Sequence, residues 1–359
     1  MHRQITISLI ASPMKIQHSI LFVLLLFFSA QFARSQVNKC ALNLVKAQEQ
    51  FNAGQIEEVP GLLLDCIEDG FTTEDRIEAF KLLINAYIFD GYPDLAEEYM
   101  MIFLNEYPDY EVSDDDPYEF AVLFDQFDNK PRYSIGAFLG TNFSGVSVKE
   151  PFGVYNVNLV EGDYSGTAGF HFGGSFQYFL RPKIELSVEA MYSKSGFEYE
   201  VNPFPFTTTI YTEQQSRFDI PVSVIYSFNS IKFSPYLRFG FNNSILLSSG
   251  GEYVRSYANT GGVDIDNIES EVADLSDSRK SFALGTFLGG GARYKLPKAY
   301  LFLDLRYNIG FTNQVVSESR RVAGDDVWLF YNRQDDFAIN NFAITIGYTR
   351  KFYNPKRKN

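Results

Sequence analysis

Few side chains in this sequence could do chemistry, and they are unevenly spread. Only two cysteines occur, Cys40 and Cys66. In an exported chain, an oxidising compartment makes a disulfide the default for such a pair. Of the three histidines, His2 and His18 lie near the N-terminus and His171 stands alone in the body of the chain. His171 has Gly173 and Ser175 beside it. That spacing does not supply the serine-histidine-acid geometry of a hydrolase, so His171 reads as a hydrogen-bonded interior residue and no catalytic residue is expected. Asp264, Asp266, Glu269, Glu271, Asp274 and Asp277 crowd one segment. Its Asp264-Ile265-Asp266-Asn267-Ile268-Glu269 stretch lacks the glycine turn of an EF-hand. It reads as a solvated acidic loop, with a weak divalent-ion site as the alternative. No phosphate-binding loop or zinc ligand set is present, and no cofactor is expected. Eight further charges matter more: Glu185, Glu189, Arg217, Asp219, Arg238, Arg293, Asp304 and Arg306.

The elements that must position these residues differ between the two halves of the chain. Before about residue 130 the apolar spacing is helical. Cys40 to Asn52 reads as a helix with Leu44, Ala47, Gln48 and Phe51 on or near one face. Ala53-Gly54-Gln55 is a turn, and a second helix runs to about Ile67. In an antiparallel hairpin the start of the first helix lies beside the end of the second, which brings Cys40 to Cys66. Ile77, Phe80, Leu83, Ile84 and Tyr87 form one stripe, and Leu95, Tyr99, Ile102 and Phe103 another; both follow the i, i+3, i+4 rule. Gly54 and Gly91 each separate two helical segments, about one repeat apart, so this region resembles two tetratricopeptide-like hairpins. Asn105 to Pro117, with Pro108 and Asp114-Asp115-Asp116, reads as a linker. Tyr118 to Phe127 reads as a short closing helix.

Beyond residue 130 the period is two. Ile184, Leu186, Val188, Ala190 and Tyr192 interleave with polar residues, as do Phe218 to Tyr226, Leu301 to Phe311 and Phe342 to Tyr348. Weaker copies run through Tyr133–Phe143, Phe170–Leu180, Ser234–Leu246 and Phe282–Leu296. That makes eight strands of a length that crosses a membrane at a tilt. Short turns follow the second, fourth and sixth strands, at Arg181-Pro182-Lys183, Asn229-Ser230 and Pro297-Lys298. Long connections follow the others, near Ser144–Asp163, Tyr199–Gln215, Leu247–Ser278 and Val315–Asp335. Such alternation is the pattern of outer-membrane barrels. Hydrocarbon offers no partner to an open strand edge, so the first strand must pair with the last. The apolar parity then faces lipid. The eight charges, and His171, fall on the inward parity. Four acids and four bases in a narrow interior should pair and satisfy one another; the alternative is a path for protons or small ions.

The N-terminus reads as a secretory signal over residues 1–35. Lys15 precedes a 13-residue apolar run, Ile20–Phe32, and Ala33-Arg34-Ser35 supplies a cleavage site before Gln36. Met14 is read as the start within this region. The run is shorter than the roughly 20 residues of a spanning helix. Loss of this segment, with Arg3, Lys15, Arg34 and no acid, takes the net charge from -13 to -16. So acidic a chain is a poor ligand for nucleic acid. The expected organisation is a signal peptide (1–35), a periplasmic α-helical domain (36–128), an eight-stranded antiparallel transmembrane β-barrel (129–353) and a short tail (354–359).

The barrel half resembles the PorT-like family of outer-membrane barrels from Bacteroidetes. The resemblance rests on Pro131-Arg132-Tyr133-Ser134-Ile135-Gly136 and Gly140-Thr141-Asn142 in the first strand, on Gly289-Gly290-Gly291 in the sixth, and on a last strand ending Lys351-Phe352-Tyr353. The helices with Tyr107-Pro108-Asp109-Tyr110 are similar to extensions that some such proteins carry. The six residues after Tyr353 depart from a chain ending on an aromatic, which puts recognition by the assembly machinery in question. The resemblance implies an outer-membrane location. With the helical half, it leads to the expectation of a non-enzymatic anchor whose partners are outer-membrane lipid and a periplasmic or outer-membrane protein, in secretion or envelope assembly. A small-solute channel is the alternative, and a lipid-modifying barrel enzyme a third.

Overall fold

A computed structural model describes residues 39–151, 162–204, 206–228, 232–258, 266–317 and 335–358. The signal-like segment, the Asn229-Ser230 turn and Asp264 lie outside the described residues. The chain divides into two compact units: a helical one ending at Phe103 and resuming over Val112–Asp125, and a sheet unit comprising Leu104–Glu111 and Gln126–Asn359.

The helical unit is built from α1 (Lys39–Asn52), α2 (Val59–Glu68), α3 (Thr73–Phe89), most of α4 (Pro93–Glu106) and α5 (Tyr118–Asp125). Thr72 caps α3, its hydroxyl accepting from the Asp75 N–H at 3.2 Å. This satisfies one of the donors that a helix start leaves unpaired. The apolar stripes converge as the spacing requires: Ala47, Val59, Leu63, Phe80, Leu83, Ile84, Met100, Phe103 and Phe120 are fully buried. Phe103 packs on Phe80 and Phe120 with ring centroids 5.7 and 5.5 Å apart. Buried Lys81 is compensated by Asp116 at 2.9 Å and Glu78 at 2.5 Å.

Cys40 and Cys66 form a disulfide, with Cα atoms 5.5 Å apart. Gly70 lies against it with φ +139°, and a Cβ there would stand 2.6 Å from Cys40 Sγ. The bridge spans 26 residues, and closing such a loop stabilises the fold by on the order of 3 kcal/mol through the unfolded chain. Thiol labelling of denatured, unreduced protein isolated from cells should therefore find no free cysteine. Two labelled thiols per chain would show that the staple does not form in the cell.

The sheet unit is a closed antiparallel ring. Its strands are β1 (Pro131–Glu150), β2 (Ala168–Arg181), β3 (Ile184–Phe204), β4 (Thr207–Ser227), β5 (Phe233–Tyr257), β6 (Phe282–Leu296), β7 (Ala299–Gly310) and β8 (Asp336–Tyr353). Each pairs with its neighbour in sequence, and β8 closes on β1 through pairs such as Phe342↔Phe143 and Arg350↔Ile135. Closure removes every edge, as a sheet in hydrocarbon requires. Burial follows the pleat. Along β4 every second residue from Thr207 to Ser227 is buried, while Phe218, Val222, Val224 and Tyr226 face outward and exposed.

At the end with long connections the strands run further than the periodicity indicates. Tyr199–Gln215, expected to be a long loop, is instead the paired arms of β3 and β4, with Tyr199↔Tyr211 and Val201↔Thr209 in register. Likewise β1 continues to Glu150 and β5 to Tyr257. The physical reason is a switch in the inward residues from polar to aromatic. Phe197, Tyr199, Val201, Tyr211, Tyr253 and Phe337 form a buried cluster inside the extended ring. Burying them extends the ladder beyond the band that carries the lipid-type pattern.

Candidate functional site: a charged lumen

The period-two alternation places all eight expected charges inside the ring, each less than a tenth exposed. Their arrangement follows the strand register. Nearest the end with short turns, Arg293 of β6 reaches across to Glu185 of β3, with Nη1 2.6 Å and Nη2 2.9 Å from the two carboxylate oxygens. Two parallel bonds are the strong geometry for a guanidinium and a carboxylate. Ser227 donates to the same carboxylate at 3.1 Å. The rings of Tyr236 and Tyr300 lie 4.8 and 4.5 Å from the guanidinium carbon, in cation–π range.

One step further, four charges form a neutral cluster. Glu189 of β3 accepts from Arg238 of β5 at 2.5 Å and from Arg306 of β7 at 2.7 and 3.1 Å. Arg306 Nε also donates to Asp304 at 2.7 Å, and Tyr236 OH donates to Asp304 at 2.7 Å. Arg238 Nη1 stands 3.7 Å from Asp304. The glycine run of β6 makes room for this. Gly289 pairs with both Arg238 and Arg306, and a Cβ there would sit 3.3 and 3.1 Å from their side chains. At Gly291 a Cβ would stand 2.7 Å from Tyr236 OH.

Arg217 and Asp219 do not join an ion pair, contrary to the expectation that all eight charges pair. They lie two residues apart on β4, the spacing at which Asp304 and Arg306 do pair on β7, but here each is taken up by neutral neighbours. Asp219 accepts from Ser193 at 2.5 Å, and Arg217 donates to Gln215 at 2.9 Å and to Gln314. Neutral amides take Arg217 Nε and Nη2 and a hydroxyl takes Asp219, while Arg217 Nη1 is left without a partner among the described residues. Both residues line a cavity of about 100 Å³, together with His171, Asn242 and Thr345. His171 is buried with Nε2 2.8 Å from Thr345 Oγ1.

A third level, absent from the sequence reading, lies toward the long-loop end. Arg279 is fully buried and holds Glu213 at 2.8 and 2.5 Å. Gln215, Ser249 and Tyr211 donate to the same carboxylate at 2.7, 2.9 and 2.5 Å. Glu213 was findable, because it lies on the inward parity of Arg217, four residues before it. Arg279 carries no periodic signal; it sits just after a short 3-10 turn in the connection before β6. In the acidic segment, Asp274 is exposed and accepts from the Ser276 N–H and hydroxyl at 2.9 and 2.6 Å. Those bonds favour the carboxylate and hold its pKa below the usual range. Among the described residues no group of three or more His, Cys, Asp or Glu side chains could hold a metal ion.

A family model described as an outer membrane protein beta-barrel domain matches residues 124–315. No curated protein sequence matches significantly. Similar solved structures include three outer-membrane or surface proteins. Neisserial surface protein A is 16% identical, with 61% of this chain and 97% of that one covered and a TM-score of 0.29. OprG of Pseudomonas aeruginosa is 12% identical, with 62% and 97% covered and a TM-score of 0.35. Ail of Yersinia pestis is 11% identical, with 61% and 99% covered and a TM-score of 0.25. With the family model spanning more than half the sequence, this chain belongs to the outer membrane protein beta-barrel domain family, its barrel in the outer membrane and its helical N-terminal region on the periplasmic side.

Proposed function

We propose that this protein is a closed, non-enzymatic outer-membrane anchor whose helical unit holds a periplasmic protein partner. The observation that carries this reading is the filled lumen. Three charged levels and an aromatic cluster cross the interior among the described residues, and eight strands leave a bore that side chains just fill. An anchor needs no bore, whereas a channel does. The helical unit supports the second half of the reading. Residues 39–125 carry 21 acids against four bases, Lys39, Lys46, Arg76 and Lys81. Leu42, Val45, Phe89, Tyr92 and Tyr118 are exposed. Apolar side chains on a strongly acidic surface suit a basic, apolar partner surface. The resemblance to PorT-like barrels and to tetratricopeptide hairpins suggests secretion or envelope assembly as the setting.

Two measurements test the two halves. Purified protein in a planar bilayer should give no sustained current at neutral pH. A steady, reproducible single-channel conductance would replace the anchor with a channel. A photo-crosslinking residue at Phe89 or Tyr118 should trap one discrete protein in intact cells, and the absence of any adduct from both positions would remove the docking role.

A further inference from the structure

The barrel is charged asymmetrically along its axis. At the short-turn end, Arg132, Arg181, Lys183, Lys232 and Arg350 are exposed on five strand ends or turns around the ring. The tail adds Lys356, Arg357 and Lys358, held at this end because Lys356 and Arg357 pair with Asp128 and Phe127. The exposed acid of the barrel unit at this end is Glu111, among the described residues. At the long-loop end the balance reverses, with Glu150, Asp163, Glu200, Glu252, Asp274 and Asp277 all exposed. In a protein of net charge -13 this concentration of bases on one rim is a local departure from composition.

A second feature sets the depth of these bases. A belt of outward aromatic rings lies at the same end: Tyr133 on Phe352 with centroids 5.0 Å apart, Phe233 on Tyr294 at 5.2 Å, and Tyr226 on Phe228 at 5.1 Å. Aromatic girdles sit at the level of lipid headgroups. Arg350 is on the lipid-facing parity of β8, between Tyr348 and Phe352, with its guanidinium carbon 5.9 Å from the Phe352 ring. An exposed arginine inside the girdle meets headgroups rather than open water.

We propose that this basic collar binds the phosphates of anionic phospholipids in the inner leaflet of the outer membrane, so that the barrel carries a selected ring of acidic lipid. Lys183, Lys232 and Arg350 stand on separate turns and strands around the circumference, as a lipid annulus requires, while Arg132 and Arg181 also line a cavity at this rim with Lys295 and Lys351. Clustered Lys and Arg at a membrane surface attract anionic headgroups, and the attraction falls within a Debye length of about 8 Å at physiological salt. The acidic opposite rim gives no such attraction.

The test uses the full mature chain in phosphatidylcholine vesicles containing spin-labelled phosphatidylglycerol or spin-labelled phosphatidylcholine. The motionally restricted fraction of each reports its affinity for the barrel. Wild-type protein should select phosphatidylglycerol by about threefold or more, and 0.5 M salt should weaken the selection. The variant with Arg181→Gln, Lys183→Gln, Lys232→Gln and Arg350→Gln should fall to a ratio near one, while Arg181→Lys with Arg350→Lys keeps the preference. A heat-modifiable band establishes that each variant is folded. Should the fourfold variant not fold, Lys183→Gln and Arg350→Gln singly should each lower the ratio. No selection by wild-type protein, or selection that survives neutralisation, would overturn the proposal. So would its abolition by soluble glycerol phosphate at matched phosphate concentration, which would mark a discrete phosphate pocket instead of a lipid annulus.

Discussion

Arg306→Ala should cost the folded barrel about 3–5 kcal/mol, because it leaves a buried acid uncompensated. Arg306 gives three hydrogen bonds to two carboxylates, Glu189 and Asp304, and all three residues are less than a twentieth exposed. Once it is removed, Arg238 alone must serve both acids, and Asp304 already stands 3.7 Å from it. The loss should show as a lower temperature at which the folded, fast-migrating band disappears on a gel, or as a lower denaturant midpoint. Adding Glu189→Gln restores the balance of one acid and one base, so the double variant should recover part of the stability. That recovery separates a charge effect from a packing effect, since removing both partners of a network is not the sum of removing each. If Arg306→Ala leaves stability untouched while the wild-type protein conducts and the variant changes its ion selectivity, the lumen is a pore and the anchor reading fails.

Arg279→Ala should have a cost of the same order, about 3 kcal/mol, expressed in a different place. Arg279 comes from a connection rather than a strand, and its guanidinium meets Glu213, the Tyr211 hydroxyl and the Ser278 carbonyl. Its carbon lies 5.4 Å from the Phe337 ring. Removing it unfastens the connection before β6 from the barrel wall without touching the Glu189 cluster. Cleavage of that connection by externally added protease should accelerate by roughly a hundredfold, because protection tracks the population of the open form. The temperature at which the barrel itself unfolds should move less than in Arg306→Ala. Equal protease resistance of wild type and variant would mean that the loop is held by other contacts, and that this level does not close the external mouth.

The helical domain and the strand count were legible because each rests on a local period. Spacing of three and four residues placed Phe80, Leu83 and Ile84 in one core, and the hairpin geometry put Cys40 beside Cys66 before any contact was known. Spacing of two assigned a parity to every strand, and hydrocarbon forces that parity to be apolar outside and polar inside. The direction in which Glu185, Glu189 and Arg306 point was therefore a property of the sequence.

Which charge meets which was not. Glu189 is 49 residues from Arg238 and 117 from Arg306, and only closure of the ring brings β3, β5 and β7 to one level. The register of each strand pair then decides the partners: Arg238 and Arg306 both lie opposite Gly289, whereas Arg217 lies beside amides. The reach of the strands past the membrane band depended on Phe197, Tyr199, Tyr211 and Tyr253 finding one another across the lumen. Apolar residues on the inward parity are ambiguous in one dimension. Arg279 lay furthest from inference, since a loop residue has no period and acquires its buried place only when the barrel wall is already there to receive it.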